Sequence, residues 1–104
     1  MKNIKKILIN KANNSICRYK VSAIAFSRKN NILGICFNGF RFSKYGGGIH
    51  AERKLMSMYG KKISYIVICR TNGKGDILPI EPCYVCKKIA DKLGIIIKTI
   101  EKEE

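Results

Sequence analysis

The chain has one histidine in 104 residues, and only 7 acidic residues against 21 lysines and arginines. Any imidazole chemistry must therefore use His50, and carboxylate chemistry has few candidates. No apolar run approaches the length of a membrane-spanning helix, so a helical membrane protein is not expected. The opening MKNIKKILIN carries lysines but has neither an uninterrupted apolar core nor a small-residue cleavage site, so it does not read as a secretory leader. Repeats, low-complexity tracts and linkers are lacking too. A single domain over residues 1–104 is expected, large enough to bury a core and too short to form two. The five cysteines are odd in number and irregularly spaced. That argues against a disulfide framework and for a reducing, cytoplasmic setting in which thiols can ligate a metal.

What is present in excess is positive charge, +14 at neutral pH. Such a surface attracts polyanions, including nucleic acid, nucleotides and anionic lipid. A solvated coat of lysines accounts for it equally well.

Hydrophobic periodicity gives an alternating α/β order. Ile4, Ile7, Leu8 and Ala12 recur at helical spacing, predicting a helix over about 3–13 that ends at Asn13, Asn14 and Ser15. CRYKVSAIAFS and NILGICFNG read as two antiparallel strands joined around RKNN. HAERKLMSMYG predicts a helix that begins at the histidine, packs Ala51, Leu55, Met58 and Tyr59, and stops at Gly60. ISYIVICRT is apolar enough for a central strand, and TNGKGD turns the chain. After Pro82 a helix carrying Val85, Ile89, Ala90 and Leu93 runs to Gly94, and IIIKTI supplies a last buried strand parallel to the central one.

Two motifs stand at the starts of the second and third helices. Pro82 suits a first-turn position, where its missing N–H has no intrahelical partner, and it sets Cys83 and Cys86 three apart near the helix's positive end. That field favours thiolates. A CxxC alone is compatible with zinc binding, redox chemistry or chance. Joined to His50, it offers zinc three protein ligands and leaves a fourth tetrahedral position open for water, the pattern of a catalytic site. Two thiolates and a neutral imidazole also bring the metal site near zero charge, which keeps the ion electrophilic. Glu52, two residues after His50, is then not needed as a ligand and is free to carry protons.

These residues match the H-x-E…P-C-x-x-C signature of zinc-dependent nucleobase deaminases: HAE is His50 to Glu52 and PCYVC is Pro82 to Cys86. The chain resembles the cytidine and deoxycytidylate deaminase superfamily over nearly its whole length. The resemblance implies a cytidine deaminase-like three-layer α/β fold, with a mixed sheet of about four to five strands and flanking helices. GICFNGF also looks like the GxxxNG strand end of deoxycytidylate deaminases, and HAER is similar to the helix start of free cytidine deaminases, where the arginine supports a zinc thiolate. The implied activity is zinc-dependent hydrolysis of cytosine to uracil, with zinc on His50, Cys83 and Cys86. Glu52 would move protons between water, ring N3 and the exocyclic amine. By the same resemblance the backbone of Ala51 contacts the base edge, Asn38 holds a sugar hydroxyl and Arg53 sits behind the metal site. Two departures stand out: the chain stops about where a fifth strand of the family begins, and the loop from Asn38 to His50 lacks the insertion through which regulated deoxycytidylate deaminases bind effectors.

Each residue also has a plainer reading. Glu52 is an ordinary first-turn acid, Asn38 a turn former, and Arg53 a solvated helix residue. Cys17, Cys36 and Cys69 lie in apolar strand-like runs and read as small core residues. FRFSKYGGG interleaves Phe40, Phe42 and Tyr45 with Arg41 and Lys44, which suits base stacking and phosphate binding, or a rim loop with some core aromatics.

For substrate, a free cytosine nucleotide or nucleoside is favoured by GICFNGF and by basic residues sufficient for one phosphate. Cytosine, less readily adenine, in single-stranded DNA or RNA is favoured by the charge and the aromatic loop. A third reading is a zinc-stabilised nucleic-acid-binding module without catalysis, which the open three-ligand set argues against. No membrane partner is expected, and the apolar IIIKTI edge suggests association of copies into a homo-oligomer.

Overall fold

The computed structural model describes residues 4–13, 20–40, 48–49, 51–72, 74, 76–80 and 84–100. Its elements follow the order helix α1 (Ile4–Asn13), strands β1 (Lys20–Phe26), β2 (Ile32–Phe37), β3 (Gly39–Phe40) and β4 (Gly48–Ile49), helix α2 (Ala51–Tyr59), strands β5 (Tyr65–Thr71) and β6 (Ile77–Leu78), helix α3 (Tyr84–Leu93) and strand β7 (Ile96–Thr99). The polar residues 27–31 close the β1–β2 hairpin. Asn30 takes a left-handed φ of 63°, and the Ser27 N–H donates to the Asn31 carbonyl at 2.9 Å. Asparagine tolerates that conformation better than most side chains.

β5 is the central strand. It pairs antiparallel with β1 along its whole length, while its other edge is shared. Tyr65 to Ile68 pair in parallel with β7, and Arg70 and Thr71 pair antiparallel with β6. With β2 outside β1, the result is a mixed five-stranded sheet. The fifth strand arises because the Asn72 side chain organises the turn. Its oxygen accepts from the Lys74 N–H at 2.8 Å, and its amide donates to the Asp76 carboxylate at 2.8 Å. Local asparagine bonds of this kind fold the chain back on itself.

Period-two alternation sends β1 side chains to opposite faces. Ile24 and Phe26 join Cys69 and Leu8 beneath α1, and the Ser22 hydroxyl donates to the Leu8 carbonyl at 2.6 Å. Ala23 and Ala25 face the other way, with Ile66 and Ile68, against Ala51, Leu55 and Met56 of α2 and Cys86 and Ala90 of α3. Small side chains on β1 let α2 settle closely, α3 packs beside it against β7, and the three layers follow: α1, sheet, then α2 with α3.

Several expected facings differ. Met58 is 58% exposed and Met56 is buried in its place, because α2 buries Ala51, Glu52, Leu55 and Met56, a stripe rotated toward its first turn. Val85 is likewise 47% exposed, and Cys86 takes the inward position. α2 ends as expected at Gly60, whose φ is +52°, and a 3₁₀ turn follows over Gly60–Lys62. β7, expected to be buried, is an edge strand with Ile96 61% exposed. An apolar run does not reveal whether its second edge will find a partner. α3 ends as expected at Gly94, whose φ is +73°, with the Ile95 N–H reaching the Ala90 carbonyl at 2.8 Å and the Gly94 N–H reaching that of Asp91. This is the Schellman pairing, which uses two otherwise idle helix carbonyls.

Gly34, in the GICFNGF run, has a packing reason to be glycine. A Cβ there would lie 2.7 Å from the Tyr59 hydroxyl oxygen and 2.8 Å from its Cε2. Gly34→Ala forces the ring aside and should lower stability by about 1–3 kcal/mol in urea unfolding, the usual cost of overpacking. Tyr59→Leu in the same chain should recover part of the loss. An alanine variant as stable as the parent would show that the ring swings away without cost.

Candidate active site

α2 and α3 pack against each other over one face of the sheet. Ala51, which opens α2, and Cys86, in the first turn of α3, belong to the same buried cluster, floored by Ala23, Ala25, Ile66 and Ile68. Beside Ala51, Glu52 is only 4% exposed. It is the one buried carboxylate among the described residues, since Asp76 and Asp91 are exposed. A carboxylate is costly to bury, and first-turn placement in the helix field reduces part of that cost.

The end of β2 is tied to the same helix. Asn38 extends the β1–β2 ladder by one step: its N–H donates to the Val21 carbonyl at 2.9 Å, and its side-chain oxygen accepts the Val21 N–H at 3.0 Å. One residue earlier, the Phe37 carbonyl accepts from the Lys54 ammonium at 2.7 Å, and that ammonium lies 5.3 Å from the Phe37 ring centroid. Lys11 of α1 approaches the same ring at 5.2 Å. Lys54, two residues beyond Glu52, therefore ties the start of α2 to the strand end that carries Asn38. Sequence reading had no means to single it out from 21 basic residues.

The other expected residues divide into three groups. Ala51 is wholly buried and Arg53 is exposed. Phe40 lies in β3, paired with Gly48. His50, Pro82, Cys83, Arg41 and Lys44 lie outside the described residues, as does Cys17. Among the described residues no three histidine, cysteine or acidic side chains converge as a metal site. Cys69 is fully buried, and burial pushes its thiol pKa up against the opposing pull of Lys5. Cys36 is half-buried, and its pKa is likewise raised by burial, with Lys54 and Lys11 opposing. Burial thus disfavours the thiolate at both, as suits small core residues. A surface groove of about 520 Å³ between α3 and β7, lined by Lys87, Ala90, Asp91 and Ile95 to Thr99, contains none of the expected site residues. No helix among the described residues is long and apolar enough to cross a membrane.

No protein-family model and no curated protein sequence matches the chain. Solved structures do. Cytidine deaminase from Mycobacterium leprae superposes with a TM-score of 0.64 at 18% identity, covering 91% of this chain and 83% of that one. Cytidine deaminase from Mycobacterium tuberculosis gives 0.59 at 19% identity, covering 93% and 85%. The fold is that of the cytidine deaminases. Within that fold, Ala51 and Glu52 open α2 and Cys86 lies in the first turn of α3, so the described members of the HAE and PCYVC motifs fall on two helices packed together on one sheet face.

Proposed function

We propose that the protein is a hydrolytic deaminase that converts cytosine to uracil in a free nucleotide or nucleoside. The observation that carries this reading is Glu52: a carboxylate almost fully buried at the start of α2, beside a cluster that α3 closes with Cys86. The donor set fits zinc, because a buried cysteine in a helix first turn, with Cys83 and His50 adjoining the two helix starts in sequence, is the chemistry a Cys₂His site needs. When bound by His50, Cys83 and Cys86, zinc supplies Lewis-acid activation of water. Glu52 takes a proton from the attacking water as oxygen bonds to C4, and delivers it to ring N3. It then takes the proton of the new C4 hydroxyl and passes it to the exocyclic nitrogen as the C4–N bond breaks and the C4 carbonyl forms, releasing ammonia and leaving uracil. The backbone of Ala51 lies against the base edge, Asn38 with Phe40 borders the sugar and base, and Arg41 and Lys44 take a phosphate. Arg53 and Pro82 support the metal side of the site.

The solved neighbours are cytidine deaminases by name, which favours a small substrate. A cytosine within a single strand is the second reading, favoured by the +14 charge. Zinc-loaded protein should release ammonia from dCMP, CMP, cytidine or deoxycytidine at least as fast as it converts a cytosine in an oligonucleotide, at near-physiological salt. Conversion confined to the strand would overturn the small-substrate reading, and no conversion of any of them would overturn the enzyme.

A further inference from the structure

Tyr84 and Val85 occupy the two positions between Cys83 and Cys86, and they are not core residues. Tyr84 is 70% exposed, and Val85 beside it is exposed as well. Cys86 is turned into the core. Tyr84, two residues earlier, stands roughly 200° away around the helix. The Lys88 ammonium lies 4.7 Å from the Tyr84 ring centroid, and Lys87 and Lys92 are exposed on the same helix, against Asp91 as its single acid. An aromatic ring is thus presented to solvent within a cluster of lysines, on the helix whose inner side adjoins the candidate active site.

We infer that the outer face of α3 is a binding platform for single-stranded nucleic acid, with a base stacking on Tyr84 and the neighbouring phosphates meeting Lys88, Lys87 and Lys92. Two features of the patch select this occupant. Protein interfaces are poor in lysine at their cores, whereas three of the six residues in Lys87–Lys92 are lysines. A flat apolar ring combined with cations is what single strands require, since every base offers a π face and every linkage a negative charge. Duplexes keep their bases stacked on one another and cannot use the ring. The platform rests on the outer face of α3 alone, and strand binding by it requires no deamination and no strand substrate at the active site.

The test therefore uses a fluorescein-labelled oligothymidylate, which contains no cytosine, with the full chain loaded with zinc. Anisotropy titrations at about 50 to 200 mM salt should show single-strand binding that Tyr84→Ala weakens about tenfold and Tyr84→Phe leaves within about twofold. Lys88→Gln should reduce the slope of log affinity against log salt by about 0.7, the value of one single-strand phosphate contact. Lys6→Gln on α1, across the sheet, removes the same charge and should change tyrosine-dependent stacking not at all, costing less than Tyr84→Ala. Absence of wild-type binding, wild-type affinity in Tyr84→Ala, or equal losses in Tyr84→Ala and Lys6→Gln would each overturn the platform. A change of oligomeric state in Tyr84→Ala without change in strand affinity would assign the face to self-association and overturn it as well. None of these results bears on ammonia release from cytosine nucleotides, so the platform and the deaminase reading can fail separately.

Discussion

Glu52→Gln should retain zinc and the fold while losing deamination by at least about a hundredfold, the lower end of what positioned proton transfer contributes. Glutamine matches the shape of the buried side chain but cannot accept a proton from water and return it to the base. The substitution also removes a charge from a position only 4% exposed, so thermal stability should hold or rise. Zinc content by atomic absorption, melting temperature and ammonia release on one preparation separate the roles. Loss of zinc in step with activity would make Glu52 a ligand instead. Full activity with glutamine would place the proton carrier elsewhere.

That Glu52 stood out in the sequence as a candidate follows from scarcity. With so few acids and one histidine, HAE had little competition, and a helix start just beyond His50 was visible from the glycines before it and the apolar spacing after it. The β1–β2 hairpin was equally legible, because two β-rich runs flank the polar RKNN and because Asn30 suits a left-handed turn. Other features were not written in local patterns. β6 is two residues long and exists because the Asn72 side chain folds the chain back. The exposure of Val85 and Met58 depends on a helix rotation of about one residue, which apolar spacing on so short a helix does not resolve. Ile96 is exposed because it lies on the face of β7 opposite Ile97, which packs against the α2–α3 core, a tertiary fact. Lys54 took meaning only when its ammonium was seen on the Phe37 carbonyl.

The rotation that exposed Val85 turned Cys86 inward, and this sharpens what Cys86→Ser should do. If Cys86 is only a core residue, serine in its place buries a hydroxyl and costs about 1–3 kcal/mol, the same with or without metal. If it is one of three zinc ligands, the loss is larger and conditional. Zinc that binds the folded chain and not the unfolded one adds stability as the logarithm of its concentration over Kd, about 4 kcal/mol at a thousand times Kd. Exchanging a thiolate for a weakly acidic hydroxyl raises that Kd and removes most of this contribution. Chelator should therefore lower the melting temperature of the parent by many degrees and that of Cys86→Ser by little, and the variant should carry less than stoichiometric zinc. Cys69→Ser provides the comparison: it is equally buried, lies beneath α1 on the opposite face of the sheet, and should destabilise to the same extent with and without chelator. Equal chelator sensitivity in the parent and in Cys86→Ser would remove Cys86 from the ligand set. It would leave His50 and Cys83 without the third ligand that a catalytic zinc requires, and the proposed chemistry would fall with it.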